Sequence, residues 1–277
     1  MDVIGTYQER EFPKSRTTTI DWVEVGRSKH HVPILVELDV TAAHSYIRNL
    51  KETTGESLSF TGWVMKCIGQ AVSEHKHVHA MRKGKRKLIV FDDVDISIVV
   101  ERVTGDSDNR SATLPMPYIV RRANQKSVRE IHNEIRAAQA EPTETGIVGL
   151  GAQKYYPYLQ NLFFSLPQSL RKLMLYRRLV RDPFFAKGIM GTVVVTSAGM
   201  FGKGGGGSSW GIPVGIHPLV IALGGIAKKP GIVGDKIEVR EYLGMTVLFD
   251  HDVTDGAPVA RFVQRLRELI ENGYGLE

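Results

Sequence analysis

The chain reads as an α+β protein with one mixed β-sheet covered by helices on one face. Two observations carry this reading. Short runs rich in β-branched residues come in pairs parted by turn residues, as in 87–91 and 94–100 around Asp92-Asp93. Segments with apolar residues three and four apart stand between some of those runs, the order expected of an α+β layer structure. No internal repeat and no Pro- or Ser-rich linker divides the 277 residues, so 1–277 is expected to be a single domain.

The elements follow in order. Residues 1–31 are polar and basic, with Trp22 and Val23 as expected anchors. Residues 32–40 (VPILVELDV) alternate apolar side chains with Glu37 and Asp39, a strand pattern. Thr41 is placed to cap a helix through 43–51, and Ser57-Leu58-Ser59-Phe60 opens a second helix through Glu74. Strands are expected at 87–91 and 94–100, with a short extended piece at 118–121. Val128, Ile131, Ile135 and Ala138 give 127–140 a helical rhythm. Four more strands are expected at 192–196, 217–223, 236–242 and 245–249. A final helix over 258–272 puts Val259, Phe262, Leu266 and Leu269 on one side, and Arg261, Arg265 and Glu268 on the other.

Composition narrows the class without choosing a function. Hydrophobic residues at 42% and charged residues at 24% describe an ordinary globular chain. A net charge of +6 suits an anionic ligand such as a nucleotide cofactor, but equally nucleic acid or an acidic membrane. Cys67 is the one cysteine, set in an apolar run, which points to a buried inert thiol. Neither a signal-peptide pattern at the start nor an apolar run of spanning length is present, so the cytoplasm is the expected location.

The most telling stretch lies near the end, Met245-Thr246-Val247-Leu248-Phe249-Asp250-His251-Asp252-Val253-Thr254-Asp255-Gly256-Ala257. A strand delivers a histidine, the side chain best suited to take a proton near neutral pH, and Asp255-Gly256 then opens a helix. His251-x-x-x-Asp255-Gly256 resembles the His-x-x-x-Asp-Gly signature of the acyltransferases that form the cores of 2-oxoacid dehydrogenase complexes, and of their relative chloramphenicol acetyltransferase. Gly191-Thr192-Val193-Val194-Val195-Thr196-Ser197-Ala198-Gly199-Met200-Phe201-Gly202 is similar to the family's Gly-Thr-Phe-Thr-Ile-Ser-Asn-x-Gly-Met-Phe-Gly. Pro218-Leu219-Val220-Ile221-Ala222-Leu223-Gly224-Gly225-Ile226 is similar to its Pro-containing strand. Motifs in the family's order cover most of residues 20–273. The resemblance implies a chloramphenicol acetyltransferase-like fold, a two-layer α/β sandwich that assembles as a homotrimer with active sites between neighbouring subunits.

The same resemblance implies a chemistry. Acyl transfer between thiols needs a thiolate, a donor for the carbonyl oxygen as it gains charge, and exclusion of water. A thiol with a pKa of about 8.5 is mostly protonated at neutral pH. In the implied mechanism His251 takes the thiol proton as sulfur attacks the thioester carbon, and returns it to the departing thiol. Aligning Gly199 with the family glycine puts Thr196 where relatives aim a hydroxyl at the oxyanion, and Ser197 at the usual Asn. Either hydroxyl could instead satisfy turn backbone groups. Asp255 is implied to be a structural anchor paired with an arginine, and Arg27 is the partner expected by position. Coenzyme A or its thioester is the implied substrate, and Lys203 in the Gly-rich stretch 202–209 is expected to meet one of its phosphates. No metal and no covalent lipoyl group are expected. A lipoyl carrier protein acting in trans is the implied acceptor partner.

Several features depart from the family. Complex-forming relatives read Asp-His-Arg, whereas this chain has Asp250-His251-Asp252, an anion where they carry a cation. Only about 20 residues precede the match, an N-terminal arm over 1–20, and the C-terminal residues are polar. The expectation is therefore a stand-alone catalytic domain without lipoyl or subunit-binding domains, trimeric and not built into a cage. Residues 147–190 are an insertion, some thirty residues longer than the family's connection. Within it, Leu166, Leu170, Leu173, Met174 and Leu175 interleave with Arg171, Lys172, Arg177 and Arg178. That basic amphipathic segment is expected to pack on its own trimer and cap the channel, the alternative being a membrane surface or partner contacted through 155–181.

Other candidates weigh less. His75-x-His77-x-His79 would line one face of a strand as a metal site, but no Cys or carboxylate supports it, so a solvated turn is expected. The basic run 82–87 lacks interleaved aromatics, which argues for a solvated hairpin and against nucleic acid. Two rival functions remain at this stage. One is a non-catalytic trimeric scaffold, which would be free to lose His251, Thr196 and Asp255. The other is an antibiotic-inactivating O-acetyltransferase, disfavoured by Gly199-Met200-Phe201-Gly202 and by Asp250 before the histidine.

Overall fold

The computed structural model describes residues 4–12, 15–103, 113–140, 166–197 and 209–276. Its six-stranded sheet is mixed, in the order β1-β8-β7-β6-β4-β5. The strands are β1 (His31–Asp39), β4 (Ile96–Val103), β5 (Thr113–Val120), β6 (Val193–Ser197), β7 (Leu219–Val233) and β8 (Lys236–Asp250), while β2 (Met81–Lys83) and β3 (Lys87–Ile89) form a separate ribbon. β6 runs parallel to β4 and β7, and β8 runs antiparallel to β7 and β1. This is the expected two-layer α/β sandwich.

Helices α2 (Thr41–Thr54), α3 (Phe60–Glu74), α4 (Val128–Ala140) and the C-terminal α7 (Gly256–Glu271) accompany the sheet. Met245, Val247 and Phe249 of β8 meet Trp63, Ile131 and Phe262 of α3, α4 and α7 in one buried cluster. Ser59 caps α3, its Oγ accepting from the Gly62 N–H at 3.1 Å. Thr41 does not cap α2 but begins it, and its hydroxyl donates to Asp39 Oδ1 at 2.6 Å. The thiol of Cys67 lies inside the cluster, where burial pushes its pKa up to about 12, so it stays protonated and inert.

The opposite face of the sheet is covered in part, with Leu35 and Val99 left exposed. Val220, Ala222, Thr246 and Leu248 are buried there, and Trp210 donates its indole N–H to the Val36 carbonyl. Two expected strands, 236–242 and 245–249, are one continuous strand in β8. Gly244 marks no break: a Cβ there would stand 2.8 Å from the Ser209 carbonyl, so the glycine admits a crossing backbone.

Two helices occupy part of the insertion, α5 (Gln168–Arg181) and α6 (Pro183–Met190). α5 packs on α1 (Ser15–Gly26), a helix lying where a polar arm is expected from the sequence, and α6 packs on α5 and β2. Arg171 donates to Asp21 Oδ2 at 2.8 Å with side chains only 8% and 2% exposed, and Lys172 reaches Glu24 at 2.7 Å. Val25, Met81, Leu179, Ala186, Met190 and Ile216 form a second apolar cluster beneath them. Leu170, Leu173 and Met174 stay exposed on α5. Residues 155–165 of the expected contact segment, with Tyr155, Tyr156, Tyr158, Phe163 and Phe164, lie outside the described residues.

Candidate active site

β8 carries its histidine to the edge of the core. Asp250, the last strand residue, has no exposed surface. Its Oδ2 accepts from Lys29 Nζ at 2.8 Å, its Oδ1 accepts from the Asp252 N–H, and its backbone N–H donates to the Pro218 carbonyl. His251 then donates its backbone N–H to the His30 carbonyl at 3.0 Å. Its ring lies 5.7 Å from the Phe249 ring, with the side chain 49% exposed. The backbone is therefore tied on both sides while the imidazole faces open space. This arrangement suits a proton acceptor for an incoming substrate.

Asp252 turns its carboxylate away from that ring. Oδ1 lies 3.0 Å from His30 Nδ1, and Oδ2 accepts from Arg82 at 3.3 Å. The His30 ring and the neighbouring cations hold the Asp252 carboxyl below its usual range. The anion that replaces the family cation thus ties the histidine loop to the β2–β3 ribbon. The sequence alone assigns no site role to Lys29, His30 or Arg82, and it does not show that Asp250 holds Lys29. The sequence shows Lys29-His30 directly before the first strand, and only the register of β1 against β8, with His31 opposite Asp250, brings them to the histidine loop.

Asp255 does not meet Arg27. Arg27 sits 3.7 Å from Glu24, one helical turn back, while Asp255 Oδ1 is 4.0 Å from His251 Nδ1 with 87% of its side chain exposed. The expected Arg27–Asp255 pair is corrected on this point, since the local three-residue spacing offers Arg27 a nearer acid. Asp255 instead stands at the N-terminal end of α7, where a negative charge is favoured.

Thr196 and Ser197 end β6, and both are half-buried. Thr196 lies opposite Ala222, which lies opposite Thr246 of β8. From Thr246 the chain runs away toward Asp250, because β8 opposes β7 and β6. At about 3.4 Å per residue and 4.8 Å per strand, His251 stands roughly 20 Å from Thr196 in one copy. The two residues occupy opposite ends of the sheet. Lys203 lies outside the described residues, as does the 198–202 part of its motif.

The three histidines of the 75–79 stretch do not line a strand: residues 76–79 form a single 3-10 turn in which His77 is exposed. His79 is fully buried, with Nδ1 2.9 Å from Thr192 Oγ1 and Nε2 3.1 Å from the Phe91 carbonyl. His75 packs edge-on against Phe262 at 6.4 Å. Among the described residues no three His, Cys, Asp or Glu side chains cluster as metal ligands. Among the same residues no helix is long and apolar enough to cross a membrane.

The mixed two-layer sandwich thus delivers His251 at the end of its long antiparallel strand. The chain belongs to the 2-oxoacid dehydrogenases acyltransferase (catalytic domain) family, which matches residues 8–150 and 187–276 and passes over the α5 segment. It is 26% identical over 274 residues to the lipoamide acyltransferase component of the branched-chain alpha-keto acid dehydrogenase complex of Bacillus subtilis (strain 168), covering 95% of this chain and 53% of that protein. The chain thus spans about half the length of that relative. Among solved structures it resembles a probable dihydrolipoamide acetyltransferase from Listeria monocytogenes 4b F2365, with TM-score 0.64 and 22% identity over 96% of this chain and 95% of that one. The dihydrolipoamide acetyltransferase of Azotobacter vinelandii gives TM-score 0.64 and 18% identity, covering 100% of this chain and 97% of that chain.

Proposed function

We propose that the chain moves an acyl group between a coenzyme A thioester and a dihydrolipoyl-type thiol, in a homotrimer whose sites lie between neighbouring copies. One observation carries the reading. In a member of this acyltransferase family, a loop held by the buried Asp250 presents the His251 ring to open space. The sheet polarity that parts His251 from Thr196 argues for a site completed by a second copy. The exposed Ile232, Ile237 and Val239 of the projecting β7–β8 hairpin supply an apolar surface for such assembly.

In this mechanism His251 Nε2 takes the thiol proton as sulfur attacks the thioester carbon, Nδ1 being the nitrogen nearer Asp255. The Thr196 hydroxyl of the neighbouring copy donates to the oxygen that gains charge, with Ser197 beside it. Such a donor is worth about 3 kcal/mol. As the tetrahedral intermediate collapses, the protonated His251 returns its proton to the departing thiol. Asp255 keeps the start of α7 and the histidine loop in place, and Lys203 takes a coenzyme A phosphate. A lipoyl carrier supplies the acceptor thiol in trans, and the chain itself carries neither metal nor lipoyl group.

The test is a panel of acyl-coenzyme A thioesters assayed for free thiol, with and without dihydrolipoamide. Thiol release that depends on dihydrolipoamide supports the reading. Release with an alcohol acceptor but none with dihydrolipoamide would transfer the function to the O-acetyltransferase class, and no release with any pair would leave a scaffold.

A further inference from the structure

A cavity of about 510 Å³ opens between α1, the β2–β3 ribbon, α5 and the loop that follows His251. Its size falls in the range of small-molecule sites. The floor is the second apolar cluster, with Val25, Met81, Leu179, Met190 and Ile216 all lining it. The charged residues of the remaining wall are unbalanced. Lys29, Arg82, Lys85 and Arg181 face a single lining carboxylate, that of Asp252. Lys29 is committed to Asp250 and Arg82 to Asp252. Lys85, in the ribbon turn beside Gly84, and Arg181, at the end of α5, have no acidic partner among the described residues.

We propose that this cavity is a binding site for a small organic anion with an apolar chain, such as an acyl carboxylate. The chain end lies on the apolar floor, where it displaces water from side chains that gain nothing from it. The anionic head sits between Lys85 and Arg181, which makes it complementary to the only unbalanced charge in the cavity. Neither half of the site accounts for the other: an apolar slot alone would not gather four cations, and an ion site alone would not need that floor. The α5 wall belongs to the stretch over which the family match is silent, so the cavity is a feature of this chain. The head also comes within the charge network of Arg82 and Asp252, so occupancy reaches the loop that carries His251.

The experiment is calorimetric titration of the full chain with octanoate and with octyl phosphate, alongside 1-octanol and inorganic phosphate as the two halves of the ligand. Saturable binding of one amphiphile per chain, at least tenfold tighter than either half, is expected. Binding of only one amphiphile would support the site and identify the head. Charge reversal in the Lys85→Glu, Arg181→Glu double variant should weaken binding at least tenfold. Leu179→Trp, which fills the floor, should abolish it at an unchanged melting temperature. Should that variant fail to fold, the surface double variant still decides the matter. Absence of saturable binding, octanol or phosphate matching the amphiphiles, or full affinity in the charge-reversed variant would overturn the proposal. The measurement needs no turnover and His251→Ala should bind like the wild type, so this site and the acyl-transfer reading stand or fall separately.

Discussion

Asp250 has no exposed surface, yet it holds Lys29 through one oxygen and the backbone of Asp252 through the other. Replacing it with alanine leaves Lys29, 23% exposed, without its acid. Removing one partner of a buried pair costs about 3 kcal/mol or more, so Asp250→Ala should melt several degrees lower and lose turnover because the His251 loop loosens. His251→Ala behaves differently. Its ring is half-exposed and holds no part of the core, so acyl transfer should fall by a factor of about 100 to 10,000 at an unchanged melting temperature. Turnover near wild type in that variant would sink the general-base role. Thr196→Val should cost about 100-fold in kcat with little change in KM, because the hydroxyl acts on charge that exists only in the transition state.

At the scale of elements, α5 is joined to the rest of the chain by a buried charge. Arg171 and Asp21 are 2.8 Å apart, and Arg171 also donates to the Leu166 carbonyl at 2.6 Å. Arg171→Met would leave the Asp21 carboxylate buried without its cation, a change typically worth about 3–5 kcal/mol. The expected outcome is faster proteolytic cleavage within 166–190, read by mass spectrometry, while hydrogen exchange in β7 and β8 stays slow. The Asp21→Leu, Arg171→Leu pair should recover much of the protection, since it removes both charges together. Equal cleavage of Arg171→Met and wild type would mean that the ion pair contributes little to docking. The far end of the insertion is anchored separately, by Lys187 and Arg121 on Asp95 at 2.6 and 3.0 Å.

For the whole molecule, two buried histidines tie stability to pH. Burial pushes His79 down to about 4, outweighing the Phe91 carbonyl that favours the charged ring, and burial does the same to His217 against the Met190 carbonyl. Unfolded, each would take a proton near pH 6.5. Between pH 6.5 and 4 the unfolded chain therefore binds more protons, so stability is complete above pH 6.5 and declines as pH falls toward 4. Each ring accounts for about 3 kcal/mol of that loss. Urea midpoints measured from pH 7 to 4.5 should fall along this curve, and His79→Gln should flatten it; an unchanged slope would refute the assignment. Assembly offers a second test at this scale. Light scattering should give three times the 30.8 kDa chain mass. Mixed oligomers of His251→Ala and Thr196→Val chains should regain activity, because some interfaces then hold both intact residues. A monomer with full activity would exclude a shared site.

The local sequence determined what depends on local chemistry. A strand, a histidine and an Asp-Gly helix start follow one another without gaps, so that motif, the capped α3 and the amphipathic α7 could be read directly. α1 could not, because its weak apolar pattern becomes a helix packed face only once Arg171 arrives from 150 residues away. The expected gap between 242 and 245 is closed in β8, because Gly244 lets the backbone at Ser209 cross close to the strand. Burial of His79 depended on Thr192 and Phe91, and Arg27 took the nearer Glu24 over the distant Asp255. Tertiary structure alone decided strand direction. His251 and Thr196 each sit at the C-terminal end of a strand, but pairing runs those strands in opposite senses. No spacing along the chain records that sense, because antiparallel and parallel partners are chosen by hydrogen bonding and burial between segments far apart in sequence.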